Sequence, residues 1–395
     1  MSDMHRYRFR AAQITTEVAL PFSLDEICRD YDALTSKMVR QQPPPQFSRD
    51  EWGYLVSVLR GAHLRAVFDQ VFGSPVPQAG DLPDRLAFAK SEIAIWLPNN
   101  VSLLGPLSVA FCLLSGARVH AKAGSRAENL TAGLQSAILD QLDPGSVLAG
   151  MWRDRLQTAQ FARDDPRNAA WSQTADARIF FGSDAAALAV EALPHKPGTP
   201  FYAFADHSSL IWADAAALDE AALTTLLRVF RVYGKFGCTS PQRLVLIDGT
   251  AAQADAVARD LQALADRDSH EVPVHIASDN FMAAQVARAR GGQAYQDAKG
   301  GMVFVTGADP AETAPGLMSL AIDTQSLDQA VAMLPRNIQT IGHAAPPERL
   351  QDWARALAGT AALRFVPIRQ MHHFGPFWDG QPFWQGLFRM IDIKG

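Results

Sequence analysis

Cysteine is scarce, with Cys28, Cys112 and Cys238 alone in a chain of 395 residues. An odd number without any Cys-x-x-Cys pair excludes a disulfide framework and a thiolate zinc site, and points to a reducing compartment. Charge is also sparse. Charged residues are 19% of the chain and the formal net charge is -5, so nothing draws the whole molecule to nucleic acid or to an anionic membrane. With 48% hydrophobic residues the composition is that of a packed globular protein and excludes disorder. Long hydrophobic runs are missing too. The most apolar one, Val101 to Ala117, is interrupted by Gly105, Pro106, Ser108 and Ser115; it falls short of a membrane span and reads as a buried helix. The opening MSDMHRYRFRAAQ breaks any apolar stretch with charge, which predicts no signal peptide and a cytosolic protein. The strict Gly-x-Gly-x-x-Gly fingerprint of dinucleotide sites is absent.

The length exceeds what a single core usually supports, so two or three domains are expected. The first 90 residues read as an accessory layer. Tyr7 to Leu20 alternates as an edge strand or hairpin, Ser23 is placed to cap a helix over Leu24 to Val39, and a second helix is predicted over Arg49 to Phe72. From Glu92 short apolar strands alternate with helices, as in parallel-sheet α/β folds. EIAIWLP, RVHAK and ARIFFG are the strands; 101–117, Arg126 to Gln141 and 184–193 are the helices. The pattern is that of a doubly wound nucleotide-binding sheet. A second α/β block follows, with a helix over Leu218 to Tyr233, strands at 243–248, 272–277 and 302–307, and helices over Ala251 to Asp266 and Ser326 to Leu334. The chain closes on an aromatic cluster, FGPFWDGQPFWQGLF.

The chemistry centres on GKFGCTSPQ at 234–242. A cysteine flanked by Gly, Ser and Pro between a helix and an apolar strand lies where a turn can expose its sulfur and aim backbone amides at an intermediate. Cys28 and Cys112 lie on apolar helical faces and read as small buried hydrophobes.

The loop GKFGCTSPQ resembles the nucleophile loop of the bioluminescence-type (Lux-type) long-chain acyl-CoA reductases, a branch of the aldehyde dehydrogenase superfamily. Three more segments are similar to that family in the expected order: LPNNVSLLGPLSVAFCLLSGARVHAK at 97–122, FFGSDAAALAVEAL at 180–193 and RFVPIRQMHHFGPFWDGQPFWQGLFRMIDI at 364–393. The resemblance implies an aldehyde dehydrogenase-like α/β fold of two doubly wound domains with a C-terminal return and oligomerisation segment. The expected divisions are 1–205 for the accessory layer and NAD(P)-binding domain, 206–345 for the catalytic domain and 346–395 for the return segment. By resemblance Cys238 is the nucleophile and Asn100 the oxyanion-hole donor, with Asn99 as the neighbouring competitor, since either can cap the helix that begins there. Lys122 takes the place of the lysine that reaches the adenosine ribose, and Gly182 and Ser183 that of the turn setting a helix N-terminus against the pyrophosphate. Arg126 is placed to meet a 2'-phosphate, which favours NADPH while leaving NADH possible.

One departure bears on the reaction. Aldehyde-oxidising relatives carry a Glu-Leu-Gly-Gly segment whose glutamate activates water, and the corresponding ADHSSLIWAD at 205–214 has no glutamate. A cysteine-bound acyl group is then better placed for reduction than for hydrolysis, so an activated acyl thioester going to an aldehyde is the expected direction. His207 falls near the missing base, as a weak acid or base or as a structural residue. The later Glu-x-Phe motif has no counterpart. His372 and His373 are adjacent, a spacing that does not put two ligands on one face, so no metal site is read there. The aromatic tail has two readings, an acyl tunnel or the closure of a core or subunit interface. The resemblance further implies acyl-CoA or a carrier-bound acyl thioester as substrate, an acyl-activating enzyme or carrier protein as partner, and a homo-oligomer. Acyl transfer or hydrolysis through the same cysteine, and a noncatalytic binding partner of an acyl-activating enzyme, stand as the alternatives.

Overall fold

A computed structural model describes residues 4–45, 47–77, 82–98, 103–124, 129–233, 237–267, 272–307 and 318–394. The chain forms two units, one of Met1–Ala205 with Phe374–Gly395 and one of Asp206–His373.

The first unit holds two sheets. In one, strands run in the order Phe388–Asp392, Arg85–Ala89, Ile14–Leu20, His5–Ala11 and Ser74–Pro75. His5–Ala11 and Ile14–Leu20 form the expected hairpin, with Ala12 at positive φ in its two-residue turn. Ser23 caps helix Leu24–Met38 by accepting from the Glu26 amide. The single helix expected over 49–72 is instead two, Arg49–Val58 and Gly61–Phe72. The break has a steric cause: the Gly61 amide donates to Asp32 at 2.9 Å, and a Cβ at Gly61 would lie 2.5 Å from the Cys28 carbonyl oxygen. Glycine is required there, and the chain must restart its helix against its neighbour.

The other sheet is parallel throughout, in the order Leu156–Gln160, Arg118–Ala123, Glu92–Trp96, Ala177–Gly182 and Phe201–Ala205. The strand order reverses at Glu92–Trp96, the doubly wound arrangement. Helix Leu104–Leu114 is buried at every residue from Gly105 onward, which explains its lack of a polar face. The helix expected from Arg126 is described only over Leu130–Leu139, with Asn129 accepting from the Ala132 amide as its cap.

The aromatic tail closes the core of this unit. Phe374, Trp378, Phe383, Trp384 and Phe388 are buried, while Phe377 is exposed. The Trp384 indole donates to the Phe111 carbonyl at 2.7 Å and stands edge-on to Phe68 at 4.9 Å. Asp379 and Gly380 both take positive φ in a tight turn closed by paired Trp378 and Gln381 backbone bonds.

The second unit is a seven-stranded sheet in the order Gln293–Gln296, Val303–Thr306, Ser319–Gln325, Pro241–Ile247, Ser208–Ala213, Ile338–Ala344 and Arg364–Pro367, parallel except at its first edge. Side chains alternate across the strands. Ile211, Leu244 and Leu246 pack with Leu226, Phe230 and Leu261 of helices Glu220–Val232 and Ala251–Arg267, whereas Trp212, Val245 and Ile247 pack with Trp353 and Ala330 on the other face. The strand expected at 272–277 is a correction: those residues open helix Val274–Ala289, with Pro273 at its cap. The β-branched start is outweighed by the alanine-rich stretch that follows, where Ala283, Ala284 and Ala287 bury one helical face. Among the described residues no helix is long and apolar enough to cross a membrane.

Candidate active site

Cys238 occupies the second position of a turn, Gly237 to Ser240, closed by the Ser240 amide donating to the Gly237 carbonyl at 2.8 Å. The turn feeds strand Pro241–Ile247 at its amino end, so the cysteine stands at the amino edge of a parallel sheet. Cys238 is partly exposed; Cys28 and Cys112 are buried. Burial pushes the Cys28 thiol up to about 11 and the Cys112 thiol up as well, which leaves both inert as nucleophiles. Gly234, Lys235 and Phe236 of the same loop lie outside the described residues.

Three neighbours fix the turn. The Ser209 hydroxyl donates to the Cys238 carbonyl at 2.6 Å. Thr239, the next residue, meets His372 Nδ1 through its hydroxyl at 2.7 Å, and His372 Nε2 faces the Val229 carbonyl at 2.6 Å. A carbonyl only accepts, so Nε2 carries the hydrogen, and the neutral ring takes the Thr239 hydroxyl proton at Nδ1. Burial, helped by the nearby Arg364 and His373, pushes this ring down to about 4, so it stays neutral at physiological pH. Tyr233 stands edge-on to it at 4.6 Å. His373 is exposed, so the two histidines part ways at once. Gly342 makes room for this segment, since a Cβ there would collide with the Met371 sulfur.

The third neighbour is Gln339, which is fully buried and whose Nε2 donates to Cys238 Sγ at 3.5 Å. Its placement comes from a register shift: Ser208 pairs with Ile338 but Ser209 with Thr340, so Gln339 is an extra residue in its strand. His207 is half-buried and directly precedes strand Ser208–Ala213, two residues before Ser209.

In the first unit, Lys122 lies in strand Arg118–Ala123 near its carboxyl end. Its ammonium sits 5.2 Å from the centre of the Phe161 ring and donates to the Ala123 carbonyl at 3.4 Å. Burial and the Arg163 charge push its pKa down, against Asp165. A partly desolvated cation at the carboxyl edge of a doubly wound sheet fits a nucleotide's ribose or phosphate oxygens. Gly182 ends strand Ala177–Gly182, and a Cβ there would meet the Phe180 ring at 2.7 Å. Ser183 stands at the cap position of helix Asp184–Glu191 with its hydroxyl making no cap bond. That helix start and Lys122 together suit a dinucleotide. Asn99, Asn100 and Arg126 lie outside the described residues. Ser209, Thr239, His372 and Gln339 were not singled out as site residues by sequence reasoning. The adjacent polar pair Gln339 and Thr340 between Ile338 and Ile341 is the one signal that marked the last of them.

Two doubly wound sheets, one with a cysteine turn at the amino end of a strand, define the aldehyde dehydrogenase fold, and solved structures of that fold match the chain. A proline utilization A mutant from Bradyrhizobium japonicum is 13% identical with a TM-score of 0.64, over 94% of this chain and 43% of its own. A putative aldehyde dehydrogenase PutA from Anabaena variabilis, 13% identical with a TM-score of 0.60, is matched over 93% of this chain and 85% of its own. A NAD-dependent benzaldehyde dehydrogenase from Corynebacterium glutamicum, 13% identical with a TM-score of 0.62, is matched over 94% and 86%. The chain thus spans less than half the length of the first of these. No curated protein matches it in sequence. Residues 85–390 match the acyl-CoA reductase (LuxC) family, and the chain belongs to that family.

Proposed function

We propose that the protein reduces an activated acyl thioester to an aldehyde through an acyl group carried on Cys238. The observation that carries this reading is the partly exposed cysteine, held in a turn with its sulfur beside a buried amide donor, in a chain of the acyl-CoA reductase family. The Cys238 thiolate attacks the thioester carbonyl carbon; a carbon–sulfur bond forms while the carbonyl electrons move to oxygen. The Asn100 side chain and a backbone N–H hold that oxyanion, a contribution typically worth about a hundredfold or more in rate. As the oxyanion collapses, the carrier thiolate leaves and Cys238 retains the acyl group. A nicotinamide cofactor, when bound, would supply the hydride for the acyl carbon, and cleavage of the carbon–sulfur bond then releases aldehyde and returns the Cys238 thiolate.

Some of the chain's own residues support this reading. ADHSSLIWAD lacks the glutamate that would direct water at the acyl group. Lys122, Gly182 and Ser183 bind the nucleotide, and Arg126 adds the preference for NADPH. The benzaldehyde dehydrogenase of the same fold is NAD-dependent, which supports a cofactor of this class. The test is a panel of acyl thioesters incubated with NADPH or NADH and an aldehyde trap. Cofactor oxidation matched by trapped aldehyde is the expected result. Thioester loss without cofactor oxidation would assign acyl transfer or hydrolysis instead, and cofactor binding with no turnover of any thioester would assign a noncatalytic role.

A further inference from the structure

Behind the nucleophile the second unit contains a line of hydrogen bonds that all point the same way. The Arg364 guanidinium donates to Thr340 Oγ1 at 3.2 Å, the Thr340 hydroxyl donates to Gln339 Oε1 at 3.4 Å, and Gln339 Nε2 donates to Cys238 Sγ at 3.5 Å. The Arg364 contact fixes the direction, because a guanidinium only donates and leaves the Thr340 proton for Gln339. That in turn fixes the amide, carbonyl toward Thr340 and NH₂ toward sulfur. Gln339 and Thr340 are fully buried, and Gln339 reaches this place only because it is the extra residue in its strand. A bulge beside a reactive group, holding a buried amide against it, is a costly arrangement for packing alone.

We propose that Gln339, polarised from behind by Thr340 and Arg364, is the donor that holds the Cys238 sulfur in its anionic, nucleophilic form. It rests on Cys238 being the nucleophile. The physics is that of a charge-assisted bond: an N–H to a thiolate is stronger than to a thiol, and successive donors in a low-dielectric interior strengthen one another. The cation at the far end lowers the energy of the anion at the near end through the hydrogen bonds between them. Other titratable groups lie on the elements packed around the turn. His372 is neutral, Arg243 is paired with Asp323 at 3.0 Å, and His207, Tyr233 and His373 flank the strand and helix ends. They are common to the protein and its variants, so a change confined to Gln339 or Thr340 reports on the relay.

The experiment is the pH dependence of iodoacetamide alkylation, read by mass spectrometry at the Cys238 peptide in the full-length protein. Gln339→Met keeps the volume and removes the donor, Gln339→Glu keeps the shape and places a carboxylate by the sulfur, and Thr340→Val breaks the line one step back. Raising the thiol midpoint by one pH unit lowers the thiolate fraction, and with it the alkylation rate, about tenfold at pH values below both midpoints. That is the result expected for Gln339→Met, with a larger loss for Gln339→Glu and about threefold for Thr340→Val. Midpoints equal to wild type in Thr340→Val and in whichever Gln339 variant folds, as judged by thermal melting, would overturn the proposal, whatever happens to activity. Alkylation needs neither thioester nor cofactor. A shifted midpoint in a protein that reduces no thioester would therefore count against the proposed function alone, and an unshifted one in an active reductase against the role of Gln339 alone.

Discussion

Replacing His372 by glutamine removes a titrating ring from between Thr239 and Val229 and leaves an amide that can accept from the first and donate to the second. The wild-type ring is neutral in the fold, with its pKa down at about 4 against 6.5 in the unfolded chain, and burial is the main cause. A depressed pKa means that the unfolded chain takes up a proton the native fold refuses. The stability tied to the neutral ring is complete above pH 6.5 and is lost as pH falls toward 4. One pH unit of such a gap is worth about 1.4 kcal/mol, so the loss reaches about 2 kcal/mol at pH 5 and about 3 kcal/mol at pH 4. His372 is buried, with 7% exposure, so solvent screening reduces the figure little. Urea unfolding of both proteins at pH 7 and pH 5 isolates the effect, because every other titrating group is shared. The wild type should lose about 2 kcal/mol more than His372→Gln over that interval. Parallel losses in the two proteins would refute the assignment of a buried neutral ring.

Two further outcomes follow from the geometry. In Gly342→Ala the new Cβ is driven into the Met371 sulfur, beside the His372 anchor. We expect a loss of about 1–3 kcal/mol in stability, seen as a lowered thermal midpoint, and an unchanged midpoint would mean the segment packs elsewhere. Lys122→Met keeps a chain of similar length and deletes the charge that faces Phe161. The KM for the nicotinamide cofactor should rise about tenfold with kcat changed by less than about threefold, and an unaltered KM would remove Lys122 from the cofactor site.

Much of this fold is written locally and some is not. The hairpin at 5–20, the Ser23 cap and the strands at 92, 118 and 177 follow from alternation and capping, which depend on near neighbours in sequence. The break between Val58 and Gly61 does not, because its cause is the Cys28 carbonyl on another helix. The segment 272–277 misleads for the opposite reason: its first residues favour a strand, and the helix is decided by the alanine face further on. In the site, the Cys238 turn is legible from Gly237, Ser240 and Pro241. His372 is not, since its partner lies 133 residues away, and Gln339, whose partner lies 101 residues away, has only the polar pair it forms with Thr340 between two isoleucines to mark it. The position of the cysteine at the amino end of its strand is also legible, because its loop lies between a helix and the apolar strand that follows. Ligands of open α/β sheets gather at the carboxyl edge, and this nucleophile stands at the amino edge.

The central claim is a covalent acyl group on Cys238, and mass spectrometry can see it directly. Incubated with an acyl-CoA in the absence of NAD(P)H, the protein should gain the mass of one acyl group on the peptide that holds Cys238. Addition of NADPH should discharge that mass as aldehyde, and Cys238→Ala should show neither step. Aldehyde formation by Cys238→Ala at an unchanged rate, or turnover by the wild type with the acyl group found on another residue, would contradict the account.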